Sequence, residues 1–285
     1  MQVTPELISW LDSQRQAGFD DEALLKALVN AGYTEAFSLG LLSGKNGATA
    51  RPDAARQSAQ PVQTSSTLPV TSLAWFGQQS VYPVLDVNVQ VLVQMKHPQL
   101  AVFEGLLTDA ECDALIEQAR SRLSSSLTVD SDSGDSVAHQ ARVSSGMFFQ
   151  RGETELVTLL ERRMSALLGF PETHGEGLQI LNYKPGGKYD PHQDYFDPAQ
   201  LGSHVHLKRG GQRIGTLICY LNTPQSGGGT VFPDVGLTVS AMRGRAVYFA
   251  YPVAHVSSAC LHGGNPVIEG EKWIATKWIR ESVFQ

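Results

Sequence analysis

The chain has 285 residues, a formal net charge of −6 and a hydrophobic content of 42%. A chain of this length buries a sizeable core without disulfides or a structural metal, and the composition is that of an ordinary globular protein. The acidic balance gives no support for nucleic-acid binding by the whole chain. No window approaches the ~18 uninterrupted apolar residues of a membrane span. We therefore expect neither a nucleic-acid partner nor a membrane partner.

The N-terminal residues and the cysteines indicate the cellular compartment of the protein. The first residues lack the basic and apolar regions of a secretory signal peptide. The three cysteines, Cys112, Cys219 and Cys260, are widely spaced and form no CxxC pair. Isolated cysteines in odd number favour buried thiols in a reducing compartment. These features predict a cytoplasmic protein.

Residues 1–45 are predicted to form a small module of three short helices. Thr4 and Pro5 supply the N-cap and the first position of the first helix. Asp20–Asn30 carries its leucines on one helical face, and Glu35–Leu42 is predicted to be a third short helix. Two interpretations remain open: the module binds an unknown protein partner, or it is a stabilising appendage.

A change of composition marks the next boundary. Residues 46–70 are rich in small and polar residues and are predicted to be a flexible linker. From residue 71 the pattern changes to short β-like runs with two helices among them. One helix opens with the capping box Thr108–Glu111, and the other runs from Glu153 to Leu168. The Ser-, Asp- and Gly-rich segment 124–140 is typical of a mobile surface loop, and the longer segment 121–141 could fold over a peptide.

After Leu178 the pattern is that of strands separated by Gly and Pro turns. Regularly spaced short strands preceded by helices predict a mainly β fold, a sandwich or jelly roll with supporting helices. The predicted strands are Leu178–Tyr183, Ile214–Leu221, Thr230–Phe232, Leu237–Val239, Ala246–Tyr251 and Lys272–Ile279.

The stretch LNYKPGGKYDPHQDYF places His192 and Asp194 two residues apart. On a strand, residues i and i+2 point to the same face, so the imidazole and the carboxylate would converge inside a barrel. They would be two members of a 2-His-1-carboxylate triad, which binds Fe(II) on one side and leaves the other open. On these two residues alone, a hydrogen-bonded His–Asp pair is the plainer interpretation. The candidates for a third ligand are His204, His206, His255 and His262.

Lys272 follows His262 by ten residues. A strand, a turn and a returning strand between them would bring the lysine into the same cavity. A buried cation requires an anionic partner. A dicarboxylic acid that chelates the metal at one end would meet Lys272 at the other.

The chain resembles the prolyl 4-hydroxylase group of Fe(II)/2-oxoglutarate-dependent dioxygenases over roughly residues 98–281. The segments VFEGLLTDAECDALI and VSSGMFF belong to the resemblance. The other matching positions are Tyr183, Tyr189, His192, Asp194, Arg213-Ile-Gly-Thr216, Gly228-Gly-Thr230-Val-Phe-Pro, His262, Lys272-Trp273 and Lys277-Trp278.

The resemblance implies a double-stranded β-helix, or jelly roll, over residues 71–285. It implies Fe(II), 2-oxoglutarate as cosubstrate, O2, and ascorbate as reductant. Iron would be ligated by His192, Asp194 and His262, which argues against the other three histidines.

The resemblance also implies roles for residues around the metal. Lys272 would pair with the far carboxylate of 2-oxoglutarate, and Tyr183 and Thr216 would add hydroxyl hydrogen bonds to it. Tyr189 and Trp278 would form the aromatic walls of the substrate pocket.

The implied activity is hydroxylation of a C–H bond, foremost 4-hydroxylation of a prolyl residue in a peptide or protein. One alternative is an oxygenase that acts on a free amino acid or a small metabolite. Another is a non-catalytic metal-binding jelly roll, although a protein that only holds a metal needs no buried cation such as Lys272.

Overall fold

A computed structural model describes residues 34–43, 79–126, 128–129, 136–137, 142–198, 200 and 202–285, with single positions between residues 11 and 28. The chain divides into two compact units, Met1–Ser65 and Ser66–Gln285. Among the described residues, no helix combines the length and the apolar character needed to cross a bilayer.

In the first unit, α1 (Glu35–Leu42) begins at Thr34, whose side chain accepts a hydrogen bond from the backbone N–H of Phe37. This is the third helix predicted from the sequence. The cap predicted at Thr4 and the linker predicted over 46–70 lie outside the described residues. A small apolar cluster is formed by Leu11, Leu24, Leu28 and Leu42.

A nine-stranded antiparallel sheet, the major sheet, is the scaffold of the second unit. Its strands are β1 (Val81–Val84), β2 (Val87–Met95), β3 (Gln99–Glu104), β4 (Ser124–Ser125), β7 (Ser145–Phe149), β8 (Leu178–Tyr183), β10 (Arg213–Tyr220), β14 (Arg245–Ala250) and β17 (Lys272–Arg280). They follow the order β1-β2-β3-β14-β10-β17-β8-β7-β4. Because neighbours in the sheet are distant in sequence, residues from many parts of the chain share its faces.

A second, four-stranded sheet, the minor sheet, faces the major sheet. Its strands are β9 (Tyr189–His192), β12 (Thr230–Phe232), β13 (Leu237–Val239) and β15 (His262–Gly264), in the order β13-β12-β15-β9. Two short ladders pair β11 (Ser226–Gly227) with β16 (Val267–Glu269), and β5 (Thr128–Val129) with β6 (Ser136–Val137). The two facing sheets confirm the predicted jelly roll.

Two helices flank the major sheet on its other face: α2 (Asp109–Arg120) and α3 (Glu155–Leu168). The capping box predicted at the start of α2 is present in full. The helix α3 begins after the cap residue Thr154 and ends at Gly169, which adopts a left-handed conformation with φ of 72°. A third short helix, α4 (Ser203–Leu207), and single 3-10 turns at Glu172–His174, Pro233–Val235 and Val256–Ser258 lie in the connections.

Successive side chains of β10 belong to two different hydrophobic cores, one on each face of the major sheet. Leu217 and Cys219 belong to the buried cluster that includes the helices. Ile218 and Tyr220 belong to the cluster between the two sheets, together with Phe232 of the minor sheet. Since successive side chains point to opposite faces, a strand that is buried on both faces is apolar over most of its length. All three cysteines are buried free thiols, as predicted.

Candidate metal and cosubstrate site

His192, Asp194 and His262 meet between the two sheets, and their ligand atoms all lie within 4.8 Å of one another. The two histidines are direct partners on the paired strands β9 and β15. The Nε2 atom of His192 lies 3.5 Å from Oδ1 of Asp194, and Nε2 of His262 lies 3.5 Å from Oδ2. Two distant segments thus supply one compact set of donors.

Asp194 was expected to lie on the same strand as His192, but the structure places it beyond the end of that strand. The strand β9 ends at His192, and Asp194 lies in the bend that follows. Its side chain converges with that of His192 because the backbone turns after the strand.

Backbone carbonyls fix which nitrogen each imidazole presents. The Nδ1 atom of His192 lies 2.9 Å from the carbonyl oxygen of Asp190, and Nδ1 of His262 lies 3.0 Å from that of Cys260. A carbonyl oxygen only accepts, so each Nδ1 carries the proton and donates. Each Nε2 therefore presents a lone pair to the cluster, the arrangement that metal-ligating histidines require.

The charge states of the cluster fit a divalent cation. Burial lowers the pKa of His262 to about 4, and the charge of Asp194 offsets this only in part. Burial raises the pKa of Asp194, but interactions with His262 and His192 outweigh it and hold the pKa well below its usual value. Nε2-to-oxygen separations of 3.5 Å are long for hydrogen bonds. Two lone pairs and a carboxylate that face one another form the donor set of divalent iron.

Lys272 lies deeper in the same cavity and is only 2% exposed. It opens β17 directly opposite Tyr183 on β8, and its Nζ lies 5.3 Å from the ring centroid of Tyr183. Among the described residues, no carboxylate lies within ion-pair distance of this ammonium group. Burial lowers the pKa of Lys272 to about 8. The cavity therefore holds a buried cation that an anionic ligand would stabilise.

The hydroxyl of Thr216 does not lie near Lys272, where the resemblance to the hydroxylases implied it. Its Oγ1 donates a hydrogen bond of 2.7 Å to Oδ2 of Asp194 and contacts the hydroxyl of Tyr251. On the paired strands Thr216 lies opposite Trp278. Lys272 is six residues further along β17, about 20 Å away at the rise of an extended strand. Thr216 therefore contacts Asp194, a residue of the metal cluster, and does not lie beside Lys272.

Thr230 lines the cavity with Lys272, as do the hydroxyl residues Tyr183 and Thr276. It is buried on β12 and accepts a hydrogen bond of 2.7 Å from the hydroxyl of Tyr220. The side chain of Lys272 passes close to Gly228, where a Cβ atom would lie 3.2 Å from its Cδ. Thr230 belongs to the quoted Gly-Gly-Thr segment, but the sequence carried no signal that separated its role from that of Thr216.

Tyr189 and Trp278 line both this cavity and a wider groove of about 840 Å³ that opens from it. Tyr189 stacks on His192 with ring centroids 3.6 Å apart. The guanidinium of Arg213 lies 4.0 Å from the ring centroid of Trp278. The two aromatic residues predicted to form pocket walls therefore stand at the mouth of the metal site.

Sequence inspection assigned no role to three groups along the groove: Arg213, Arg142 and Phe148. The carboxylate of Glu176 binds Arg213 through two hydrogen bonds of 2.7 and 3.0 Å. Arg142 donates to Gln179 and lies over the ring of Tyr189. Arginines are usually exposed and charged, so only their burial in the folded chain identifies them.

The other three candidate histidines lie apart from the cluster. His204 and His206 lie on α4, and His206 stacks on Phe196 with ring centroids 5.0 Å apart. His255 is exposed, accepts a hydrogen bond from the backbone of Ser257 and lines the groove. The structure brings only His262 to the first two ligands.

A jelly roll with a His-Asp-His cluster in its interior, beside a buried lysine, defines a class of metal-dependent proteins. Residues 178–280 match the family model of the 2OG-Fe(II) oxygenase superfamily. The chain is 40% identical over 210 residues to prolyl 4-hydroxylase 2 of Arabidopsis thaliana, across 66% of this chain and 69% of that protein.

Two further similarities are found. Probable prolyl 4-hydroxylase 7 of Arabidopsis thaliana is 38% identical over 208 residues, across 66% of this chain and 64% of its own length. The viral collagen prolyl hydroxylase of Paramecium bursaria Chlorella virus-1, solved with 2OG, is 30% identical, with a TM-score of 0.48 over 64% of this chain and 95% of that one. The chain thus spans about two thirds of the length of the plant relatives.

The chain belongs to the 2OG-Fe(II) oxygenase superfamily, and within it to the prolyl 4-hydroxylase group. Fe(II), 2-oxoglutarate and O2 are the metal and cosubstrates of this family, so the predicted family and these three cofactors are confirmed, and ascorbate as reductant stays a prediction.

Proposed function

We propose that the protein is a dioxygenase that hydroxylates carbon 4 of a prolyl residue within a peptide or protein. His192, Asp194 and His262 would hold Fe(II), and Lys272 would bind the far carboxylate of 2-oxoglutarate. The observation that carries the proposal is the buried ammonium of Lys272 in the cavity of the His-Asp-His cluster. A protein that only binds a metal has no use for a buried cation, whereas a chelating dicarboxylate supplies its counter-charge.

The chain's own residues prepare the site for this reaction. Bound Fe(II) supplies the oxidising chemistry, in which O2 and 2-oxoglutarate yield CO2, succinate and a hydroxylated carbon. The carbonyls of Asp190 and Cys260 hold the imidazoles in position. Tyr183 and Ile218 line the cosubstrate cavity and exclude water from it.

The groove supports a peptide substrate over a free amino acid. It extends from Trp278 past the exposed ring of Phe148 to Ser124 and Ser125 on β4, the edge strand of the major sheet. A single amino acid would fill only the mouth between Tyr189 and Trp278. An extended chain would use the whole groove, with a proline ring against the aromatic walls. The plant relatives are named prolyl 4-hydroxylases, which agrees with this choice.

The test is reconstitution of the purified protein with Fe(II), 2-oxoglutarate and ascorbate, followed by exposure to air with a library of proline-containing peptides. We expect succinate to form in step with a mass gain of one oxygen on a prolyl residue. If succinate formed with free proline or a metabolite but with no peptide, the substrate would be a small molecule and not a peptide. Absence of any 2-oxoglutarate turnover would leave a metal-binding module.

A further inference from the structure

One oxygen of the Asp194 carboxylate is already engaged by the protein. Thr216 is fully buried at 0% exposure, and its hydroxyl donates to Oδ2 at 2.7 Å. The other oxygen, Oδ1, accepts no hydrogen bond from a hydroxyl or backbone group of the described residues. The two oxygens of this one carboxylate therefore have different surroundings.

The hydroxyl of Thr216 lies between Asp194 and Tyr251, and the carboxylate sets the direction of its proton. Its phenol hydroxyl is in contact with Oγ1 of Thr216, and its side chain is buried. An ionised carboxylate only accepts, so the single proton of Thr216 points to Asp194. Tyr251 must then donate to Thr216, which gives a chain of donors from Tyr251 through Thr216 to Asp194. Burial and the charge of Asp194 raise the pKa of Tyr251 well above its usual value, so the phenol keeps its proton.

The number of carboxylate oxygens on the metal matters in such a site. A facial triad with three protein donors leaves three positions on an octahedral iron. A chelating 2-oxoglutarate takes two of them and O2 needs the third. If Asp194 bound through both oxygens, one of these positions would be lost.

We propose that Tyr251 and Thr216 form a positioning pair that restricts Asp194 to metal coordination through Oδ1 alone, and so keeps a position open for the cosubstrate. The inference rests on the proposed function, since it concerns the same iron site. Neither residue touches the substrate groove, and Tyr251 reaches the metal ligand only through Thr216.

The main test is Thr216→Val, which keeps the shape of the side chain and removes the hydroxyl. The variant is loaded with Co(II) without 2-oxoglutarate, and its visible absorption spectrum is compared with that of the unaltered protein. Co(II) and 2-oxoglutarate affinities are then measured by calorimetry. We expect a changed spectrum, a Co(II) affinity within about threefold, and a 2-oxoglutarate affinity weakened about tenfold or more.

Matched variants make the test specific. Thr216→Ser retains the hydroxyl and should restore the spectrum and the affinity. Tyr251→Phe should shift both measurements in the same direction as Thr216→Val, but less. Tyr248→Phe is the control, because Tyr248 is a buried tyrosine on β14 that packs in the other core cluster. If Thr216→Val fails to fold, the comparison of Tyr251→Phe with Tyr248→Phe carries the test.

An unchanged Co(II) spectrum with unchanged 2-oxoglutarate affinity would overturn the proposal. So would a weakened Co(II) affinity with the other two measurements unchanged, because that result would mean that Thr216 only orients the ligand. The Co(II) spectrum is recorded without the cosubstrate. A protein that binds Co(II) but never turns over 2-oxoglutarate would contradict the proposed function and leave this readout interpretable.

Discussion

His192 and His262 lie directly opposite each other on β9 and β15, and each directs Nε2 at a different oxygen of Asp194. The pairing of two short strands therefore sets the spacing of the donors. Each histidine also gives its Nδ1 proton to a carbonyl two residues earlier in the chain. The two imidazoles of the metal site are thus positioned by backbone geometry.

Asp194→Ala should weaken Fe(II) or Mn(II) affinity by roughly a hundredfold or more and abolish 2-oxoglutarate turnover, because it removes the charged donor. Calorimetry with Mn(II) measures the first effect. Asp197→Ala is the control, since Asp197 lines the groove but is not part of the cluster. Normal metal affinity in Asp194→Ala would remove the proposed triad.

Lys272→Ala should weaken 2-oxoglutarate binding strongly and leave Mn(II) affinity largely unchanged. Loss of one partner of a buried charge pair costs roughly 2–5 kcal/mol, which corresponds to about thirtyfold or more in the dissociation constant. Titration of the Mn(II)-loaded protein with 2-oxoglutarate measures the effect. Equal affinities in the variant and the unaltered protein would mean that the far carboxylate binds elsewhere.

The affinity for 2-oxoglutarate should fall as the pH rises above about 8, where burial places the pKa of Lys272. The dicarboxylate binds the charged lysine, so above that pH each unit should weaken binding by up to about tenfold. Calorimetry of the Mn(II)-loaded protein between pH 7 and 9.5 tests this. Lys272→Arg should give a flat profile, because a guanidinium stays charged over this range. A flat profile in the unaltered protein would contradict the prediction.

Lys277→Met should destabilise the protein by about 3–5 kcal/mol without acting on the site. Lys277 lies on the same strand as Lys272 but on the opposite face, where its Nζ donates to Glu161 at 2.5 Å and to the carbonyl of Glu176. The variant leaves the buried carboxylate of Glu161 without its cation. Urea unfolding measures the loss, and the double variant Lys277→Met, Glu161→Gln should recover part of it. A stability equal to that of the unaltered chain would mean that the ion pair contributes nothing.

Deletion of residues 1–45 should leave Fe(II) binding and 2-oxoglutarate turnover in place. The chain divides into two compact units, and every residue of the proposed iron site belongs to the second. The measurement is succinate formation by the shortened protein. Loss of all turnover in a folded variant would show that the first unit is needed for the chemistry.

The strands were predictable because burial on both faces leaves a clear signal. Leu178–Tyr183 was predicted with the bounds that β8 has, and the capping box of α2 was read from two residues. The start of α3, predicted at Glu153, lies at Glu155 in the structure, whereas its end at Leu168 agrees. Helix ends depend on local hydrogen bonds that composition does not specify.

The metal ligands were predictable through the resemblance to the hydroxylases, whereas the spacing of His192 and Asp194 alone left four histidines as candidates for the third ligand. Thr216 and Thr230 were not distinguishable in this way. Both are β-branched residues in apolar surroundings, where no function is needed to explain them. The register of β10 against β17 places Thr216 opposite Trp278 and beside Asp194. Thr230 lines the cavity of Lys272 from the minor sheet.

By itself, the sequence determined most of the strands, because hydrophobic alternation is a local property of the chain, and its resemblance to the hydroxylases indicated the family and the set of donors. Only the tertiary structure decided which hydroxyl bonds the carboxylate of Asp194 and which lines the cavity of Lys272. Those contacts depend on strand register and on the distance between sheets, which arise when remote segments pack together.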